Sequence, residues 1–244
     1  MADRMSFWAW GLESEEPTNR ARAELAERLS KRFGVAIVPR PVPDLAHADL
    51  RPPRIVPPET MEEFCSTGTY ERARHSYGAH FTDRTRAFDL DFPNPPDFVA
   101  HPSDEAQLEA ILGWCHEGGH TVVPYGAGSS VVWGVNPHEE ADTAVTIVLD
   151  RLDRVLEIDA TSRAARIQAG AYGPALEAQL KPSGHTLRHF PQSFRFSTLG
   201  GWIATRSGGH YATNHTHIDD FVESVRMLTP GAGGNHGVSR AAAP

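Results

Sequence analysis

The stretch PYGAGSSVVWGV, Pro124 to Val135, places two glycines, an alanine and two serines directly after the apolar run Thr121–Val123. Backbone N–H groups in successive turn residues form an anion-binding concavity, and glycine lets the chain approach a ligand closely. Gly126, Gly128 and the hydroxyls of Ser129 and Ser130 therefore suit a phosphate or pyrophosphate. A tight turn between two strands is the alternative interpretation of the same residues.

Two better-known phosphate loops do not fit this stretch. No Gly-Lys-Ser/Thr follows, so it is not a Walker loop. The pair Gly126 and Gly128 is followed by VVWGV rather than by a helix, and no third glycine stands at the Rossmann position.

A second stretch, PQSFRFSTLGGWIATRSGG at 191–209, repeats the combination of hydroxyls and glycines and adds a cation, Arg206. Two such loops at the ends of neighbouring strands are able to clasp a dinucleotide from both sides. Arg206 then either pairs with a phosphate or favourably ends a short helix.

Composition excludes several classes of protein. The chain has 244 residues and a net charge of −8, and it shows no basic stripe, which argues against a nucleic-acid partner. No apolar run reaches the length of a membrane span, and the N-terminus has no signal-peptide pattern. Cys65 and Cys115 stand alone and indicate buried thiols in a reducing compartment, so we expect a cytoplasmic protein.

The pattern of helices and strands predicts an α+β fold. Thr18 and Gly34 are expected to cap a helix between them, a second helix is expected over 58–74, and Ser103 is expected to cap a third that stops at Gly118-Gly119. Strands are expected at 120–125, 143–152 and in the two runs RVLEID and RAARIQAG. Helices are expected in AYGPALEAQLKPSG and Thr198–Arg206, and a helix or strand in Asp219–Met227.

The two loops together resemble the FAD-binding domain of the vanillyl-alcohol-oxidase superfamily, the PCMH-type domain, and within it the alkyldihydroxyacetonephosphate synthase family. Further stretches are similar in the same order: FWAWG (7–11), RHSYGAHFTDRTRAFDLDFPNPPDFVAHP (74–102) and THIDDFVESVRMLTP (216–230). The resemblance implies a PCMH-type fold of two α/β subdomains at 92–230, incomplete at the C-terminus. A helical and proline-rich region at 1–91 precedes it, and a disordered tail at 231–244 follows.

The resemblance also implies the residues that contact FAD. They form a pyrophosphate loop, a second flavin segment and a third: Pro124, Tyr125, Gly126, Ala127, Gly128, Ser129 and Ser130; Gln192, Ser193, Phe194, Arg195, Phe196, Ser197 and Thr198; Thr205, Arg206, Ser207 and Gly208. Family members that tether flavin covalently often carry a histidine in the first loop. This loop has none, so we expect non-covalent FAD.

The implied activity is that of an FAD-linked oxidase or of the synthase, which exchanges an acyl chain for a long-chain alcohol in ether-lipid precursor synthesis. The substrate is then a small molecule, which is lipid-like if the protein is a synthase. A homodimer is one possible assembly. The last residues, GAGGNHGVSRAAAP, resemble nothing in the family, so we expect a truncated product without the family's cap domain and its catalytic residues. The alternative is a catalytically inactive remnant that binds FAD or dimerises.

Histidines close to the third segment raise a competing hypothesis. His210, His215 and His217 have spacing compatible with zinc, but no cysteine accompanies them. We therefore expect no metal site.

Overall fold

The computed structural model describes residues 3–209, 212 and 217–229. Its main sheet has four strands in the order β1 (Cys65–Ser66), β2 (Phe98–Ala100), β4 (Ala144–Val148) and β3 (Thr121–Tyr125). Strands β2, β4 and β3 are parallel, and β1 pairs antiparallel with β2. All five residues of β4 are buried, as a continuous apolar run in a parallel sheet requires.

Helix α4 (Glu105–Gly118) connects β2 to β3 and covers one face of this sheet. Its Ile111, Leu112 and Cys115 pack in one cluster with Phe98, Val145 and Ile147. The expected stop is confirmed, because Gly119 takes the left-handed conformation that ends the helix. The N-cap is Asp104, whose side chain accepts from the Gln107 N–H; the prediction of Ser103 was one residue early.

The N-terminal region contains three helices: α1 (Asn19–Phe33), α2 (Thr69–Arg74) and α3 (Phe81–Phe88). The caps predicted for α1 are confirmed, since the Thr18 side chain accepts from the Ala21 N–H and Gly34 is left-handed. Leu25 and Phe33 are exposed, and Ala26 is the buried residue of α1.

The prediction of a single helix over 58–74 was wrong. A 3-10 helix occupies Glu59–Phe64, strand β1 follows, and α2 begins only at Thr69. The helix is interrupted because Cys65 and Ser66 pair with Ala100 and Val99 of β2.

A buried carboxylate fastens the proline-rich connector to the sheet. Asp97, which is fully buried, accepts hydrogen bonds from the side chains of Arg51 and Arg54 and from the Ala144 N–H. Burial opposes its charge, but these donors lower the pKa of Asp97 to about 2.

A second α/β unit follows the main sheet. It contains the antiparallel pair β5 (Val155–Asp159) and β6 (Ala164–Ile167), then α5 (Gly173–Leu180) and α6 (Leu199–Ala204). Leu176, Leu180, Trp202 and Ile218 form its core. Gly184 is left-handed after the 3-10 turn that extends α5, as predicted. Of the element expected at 219–227, the structure has only the 3-10 turn Ile218–Phe221.

The described residues contain no helix long and apolar enough to cross a membrane. The predicted tail at 231–244 lies outside the described residues, as do His210 and His215 of the metal hypothesis.

Candidate functional site

The first glycine loop begins where β3 ends, at the carboxyl edge of the parallel strands. In open α/β sheets, ligands bind at this edge. The N–H groups of Gly126, Ala127, Gly128, Ser129 and Ser130 donate to no acceptor within the part of the chain that the structure describes. Five consecutive amides without partners are the donors that an anion requires.

One buried arginine orients this loop. The Arg74 side chain donates from Nη2 to the Ala127 carbonyl at 2.9 Å and from Nη1 to the Tyr125 hydroxyl. Because the C=O and N–H of a trans peptide point in opposite directions, the Gly128 N–H points away from Arg74. The loop therefore presents this amide on the side opposite the protein interior.

Neither central position of the loop tolerates a side chain. Gly128 has φ +73°, and a Cβ atom there would overlap the hydroxyl of Tyr125, whose ring lies beneath the loop. A Cβ on Gly126 would overlap the hydroxyl of Thr198 in the second segment. The glycines are required here for two close approaches as well as for a turn.

The structure brings the first and second predicted segments into contact. Thr198 is buried, and no group within the described ranges hydrogen-bonds its hydroxyl, which faces Gly126. A backbone bridge between Tyr172 and Thr198 holds the second segment against the start of α5. An unpartnered hydroxyl beside unpartnered amides is consistent with a polar ligand between the two segments.

Most other side chains of the second segment are engaged within the protein. Ser193 donates to Ser197, and the Trp202 indole donates to the Ser197 hydroxyl at 2.7 Å. Phe194 stacks on Trp202. Gln192 is exposed and keeps its side chain available.

The N-terminal stretch FWAWG covers the outer end of the second segment. Arg195 forms an ion pair with Glu15 at 2.5 Å, and the rings of Phe196 and Trp10 meet edge to face. An apolar cleft of about 360 Å³ lies beside this contact, lined by Met5, Leu12, Tyr172, Pro174, Ala175, Arg195 and Phe196.

The third predicted segment is held by contacts around α6. Arg206 forms a two-donor ion pair with Asp219, with its Nη2 at 2.7 Å from the carboxylate. The Ser207 hydroxyl lies 3.1 Å from Nε2 of the buried His189, and the Thr205 hydroxyl donates to the Gly201 carbonyl. Gly208 lies against Ala212 and His217. The contact that the structure shows for Arg206 is this ion pair with Asp219, which is neither of the two roles considered for it, the phosphate partner or the helix end.

A charged cluster lies at the carboxyl edge of β2 and β4. His101 bridges Asp150, at 2.9 Å, and Glu71 of α2, at 3.2 Å. Burial alone would lower the pKa of His101, but the two carboxylates raise it to about 9. His75 contacts Glu71 and packs its ring edgewise on Tyr125, so the cluster supports the residue beneath the glycine loop.

Sequence reasoning missed Arg74 and this cluster. RHSYGAH was noticed only as a stretch similar to the family, with no role for its arginine. The available signal was the composition of 72–78, where two arginines and a histidine stand in a segment that proves to be wholly buried. A buried cation needs hydrogen-bond acceptors, and one acceptor of Arg74 is the Ala127 carbonyl of the glycine loop.

The residues present fit the pyrophosphate of FAD. Free amides, the unpartnered hydroxyl of Thr198 and two glycines whose Cβ atoms would overlap neighbouring side chains lie together at this loop. No carboxylate of the described residues hydrogen-bonds an amide of this loop, so nothing in them competes with an anion.

Comparison with known proteins agrees with this geometry. A model of the FAD binding domain family matches residues 96–235. Alkyldihydroxyacetonephosphate synthase of Dictyostelium discoideum is 36% identical over 159 residues, which is 65% of this chain and 26% of that protein. Glycolate oxidase subunit GlcD of Escherichia coli (strain K12) is 32% identical over 114 residues, or 47% of this chain and 22% of that protein.

Solved structures extend the similarity to nearly the whole fold. One of alkyldihydroxyacetonephosphate synthase superposes with a TM-score of 0.84 at 26% identity, covering 94% of this chain and 49% of that one. The chain thus spans about half the length of that solved structure, and its matches cover about a quarter of the curated relatives. With a glycine loop that fits a pyrophosphate and a family match over most of the same unit, the chain belongs to the FAD-binding domain family, and its cofactor is FAD.

Proposed function

We propose that this chain is the FAD-binding part of an alkyldihydroxyacetonephosphate-synthase-like flavoprotein that holds FAD without a covalent bond. The observation that carries the proposal is the row of five unpartnered amides at 126–130, facing the free hydroxyl of Thr198. The synthase relatives support the subgroup, because their similarity extends over the N-terminal region as well as over the flavin unit.

The residues of this chain bind and orient the cofactor. The glycine loop receives the pyrophosphate, and Thr198 offers a hydroxyl from the opposite segment. FAD, when bound, supplies the electron-accepting ring that oxidases and synthases of this family use. The first loop contains no histidine that would tether it, which supports non-covalent binding.

The substrate in this proposal is a small, lipid-like phosphorylated ketone, as the name of the synthase relatives indicates, and the pathway is ether-lipid precursor synthesis. We place the protein in the cytoplasm on the basis of its two unpaired cysteines, Cys65 and Cys115. A homodimer is part of the same proposal, supported by the exposed Val131, Val132 and Trp133 beside the loop.

Two assays on the FAD-reconstituted protein distinguish the reaction types. Exchange of a labelled acyl chain of acyl-dihydroxyacetone phosphate for hexadecanol, without reduction of an added dye, would support the synthase reaction for this chain. Dye reduction with glycolate instead would replace the synthase proposal with an oxidase. Retained FAD with neither reaction would contradict both activities.

A binding-only module is the second candidate. The ion pairs Arg195–Glu15 and Arg206–Asp219 favour it, because they engage the charged side chains of the second and third segments within the protein. The same assays test it: FAD that is retained but neither exchanges nor reduces any substrate supports this candidate.

A further inference from the structure

Arg74 is a buried cation whose acceptors are all neutral. Its side chain is 5% exposed, and it contacts the Tyr125 hydroxyl and the Ala127 carbonyl. Within the described ranges it forms no ion pair with a carboxylate. A buried charge without an ion-pair partner is costly, so its retention next to a ligand loop calls for an explanation.

Two carboxylates of the surrounding segments form no ion pair with Arg74 within the described residues. Glu71 pairs with His101 and His75, and Asp83 accepts from the Asn136 side chain through Oδ1, while its Oδ2 has no partner there. Arg84 is a second positive neighbour; burial and the charge of Arg74 lower the pKa of Arg84 to about 10. The field of Arg74 therefore remains available to an anion at the loop.

The segment that carries Arg74 also holds the far end of the loop. The Ala79 N–H donates to the Ser130 carbonyl at 2.6 Å, and the Tyr77 carbonyl accepts from the Tyr125 hydroxyl at 3.0 Å. A Cβ on Gly78 would overlap the Ser130 carbonyl. Residues 74–79 thus fix the loop at its start, middle and end, although they lie outside the matched residues 96–235.

We propose that Arg74 is a positioning residue for the diphosphate of the cofactor: it holds the Ala127 carbonyl inward so that the Gly128 N–H faces the ligand, and it adds positive charge behind the loop. This inference rests on the proposed binding of FAD. It extends the FAD site to the N-terminal residues 74–79.

A purely structural role is the competing explanation, and the chain contains its own control. Arg72 lies on the same helix and is 4% exposed. It donates to the Pro96 carbonyl at 2.8 Å and to the Arg51 carbonyl at 2.7 Å, and it does not touch the glycine loop. Substitutions at Arg72 and Arg74 therefore remove guanidinium groups from two residues of similar exposure, and only Arg74 contacts the loop.

The test measures the Kd for FAD by calorimetry and the melting temperature of each variant. Arg74→Met should weaken FAD binding about 100-fold, and Arg74→Lys, which keeps the charge but reaches fewer acceptors, about 10-fold. Arg72→Met should lower the melting temperature and leave the Kd of the folded protein within about threefold. The ³¹P resonances of bound FAD should shift in Arg74→Lys and not in Arg72→Lys.

Equal affinity in the wild type and in both folded Arg74 variants would overturn the proposal, as would an equal loss of affinity in the Arg72 variants. If Arg74→Met does not fold, the Arg74→Lys and Arg72→Lys pair decides by Kd and ³¹P shift. If the wild-type protein binds no FAD, the proposed function itself is wrong. If the wild type binds FAD and the Arg74 variants bind it equally well, only the role of Arg74 is wrong.

Discussion

Gly126 and Thr198 lie so close together that a Cβ atom on Gly126 would overlap the hydroxyl of Thr198. The first residue belongs to the loop after β3, and the second precedes α6 in the other α/β unit. Their contact joins the two units at the proposed pyrophosphate site. It leaves no space for a side chain at position 126.

Gly126→Val should therefore weaken FAD binding about 100-fold or more, because the new side chain must displace Thr198 or the loop. Titration of the apoprotein with FAD, followed by flavin fluorescence, measures this. Gly113→Ala is the matched control, since a Cβ at Gly113 in helix α4 meets nothing within 4 Å. An unchanged Kd in Gly126→Val would remove the loop from the site.

Gly128→Ala tests the backbone conformation of the same loop. Gly128 has φ +73° and Gly184 has φ +74°, but only Gly128 has a neighbour, Tyr125, in the space of the Cβ. We expect Gly184→Ala to cost about 1 kcal/mol of stability with unchanged FAD binding. Gly128→Ala should lose FAD retention on desalting; retention equal to that of Gly184→Ala would contradict the assignment.

Asp97→Asn should destabilise the fold by about 3–5 kcal/mol, because it leaves the half-buried guanidinium groups of Arg51 and Arg54 without their anion. Urea unfolding followed by circular dichroism measures this. Asp89→Asn breaks an exposed pair with Arg40 and should cost no more than about 1 kcal/mol. Equal costs would show that Asp97 does not fasten the connector.

The His101 cluster predicts a pH dependence in the alkaline range. The folded state raises the pKa of His101 from 6.5 to about 9, so its contribution is complete below pH 6.5 and is lost as the pH rises through about 9. We expect the free energy of unfolding to fall by on the order of 2 kcal/mol between pH 6.5 and 10.

His101→Gln provides the control for this profile. It removes the titrating group and should flatten the decline between pH 6.5 and about 8. Above that range the thiols of Cys65 and Cys115 add to the decline in both proteins, because they ionise in the unfolded chain while burial raises their folded-state pKa to about 12. An identical slope in His101→Gln would assign the pH dependence to other groups.

The sequence predicted correctly those features that depend on the local chemistry of a single residue, such as the ends of helices. Thr18, Gly34, Gly119 and Gly184 stand at helix ends where their chemistry requires them. The sequence also indicated the glycine loop, because residues with almost no side chains between two apolar runs are typical of a loop whose backbone makes a close contact.

The features that were missed depend on contacts distant in the chain. Ser103 and Asp104 are both good N-caps, and only the position of Gln107 shows which of them caps α4. The helix expected over 58–74 is interrupted by pairing with β2, about 35 residues away. Arg74 contacts the loop across more than 50 residues, a relationship that no local pattern encodes.

The most direct test of the account is the visible absorption spectrum of the purified protein after incubation with FAD and desalting. We predict that the flavin bands stay with the protein and that denaturation releases the flavin, which would confirm non-covalent FAD binding by this chain. A folded protein that passes through desalting without flavin would contradict the FAD site at 126–130.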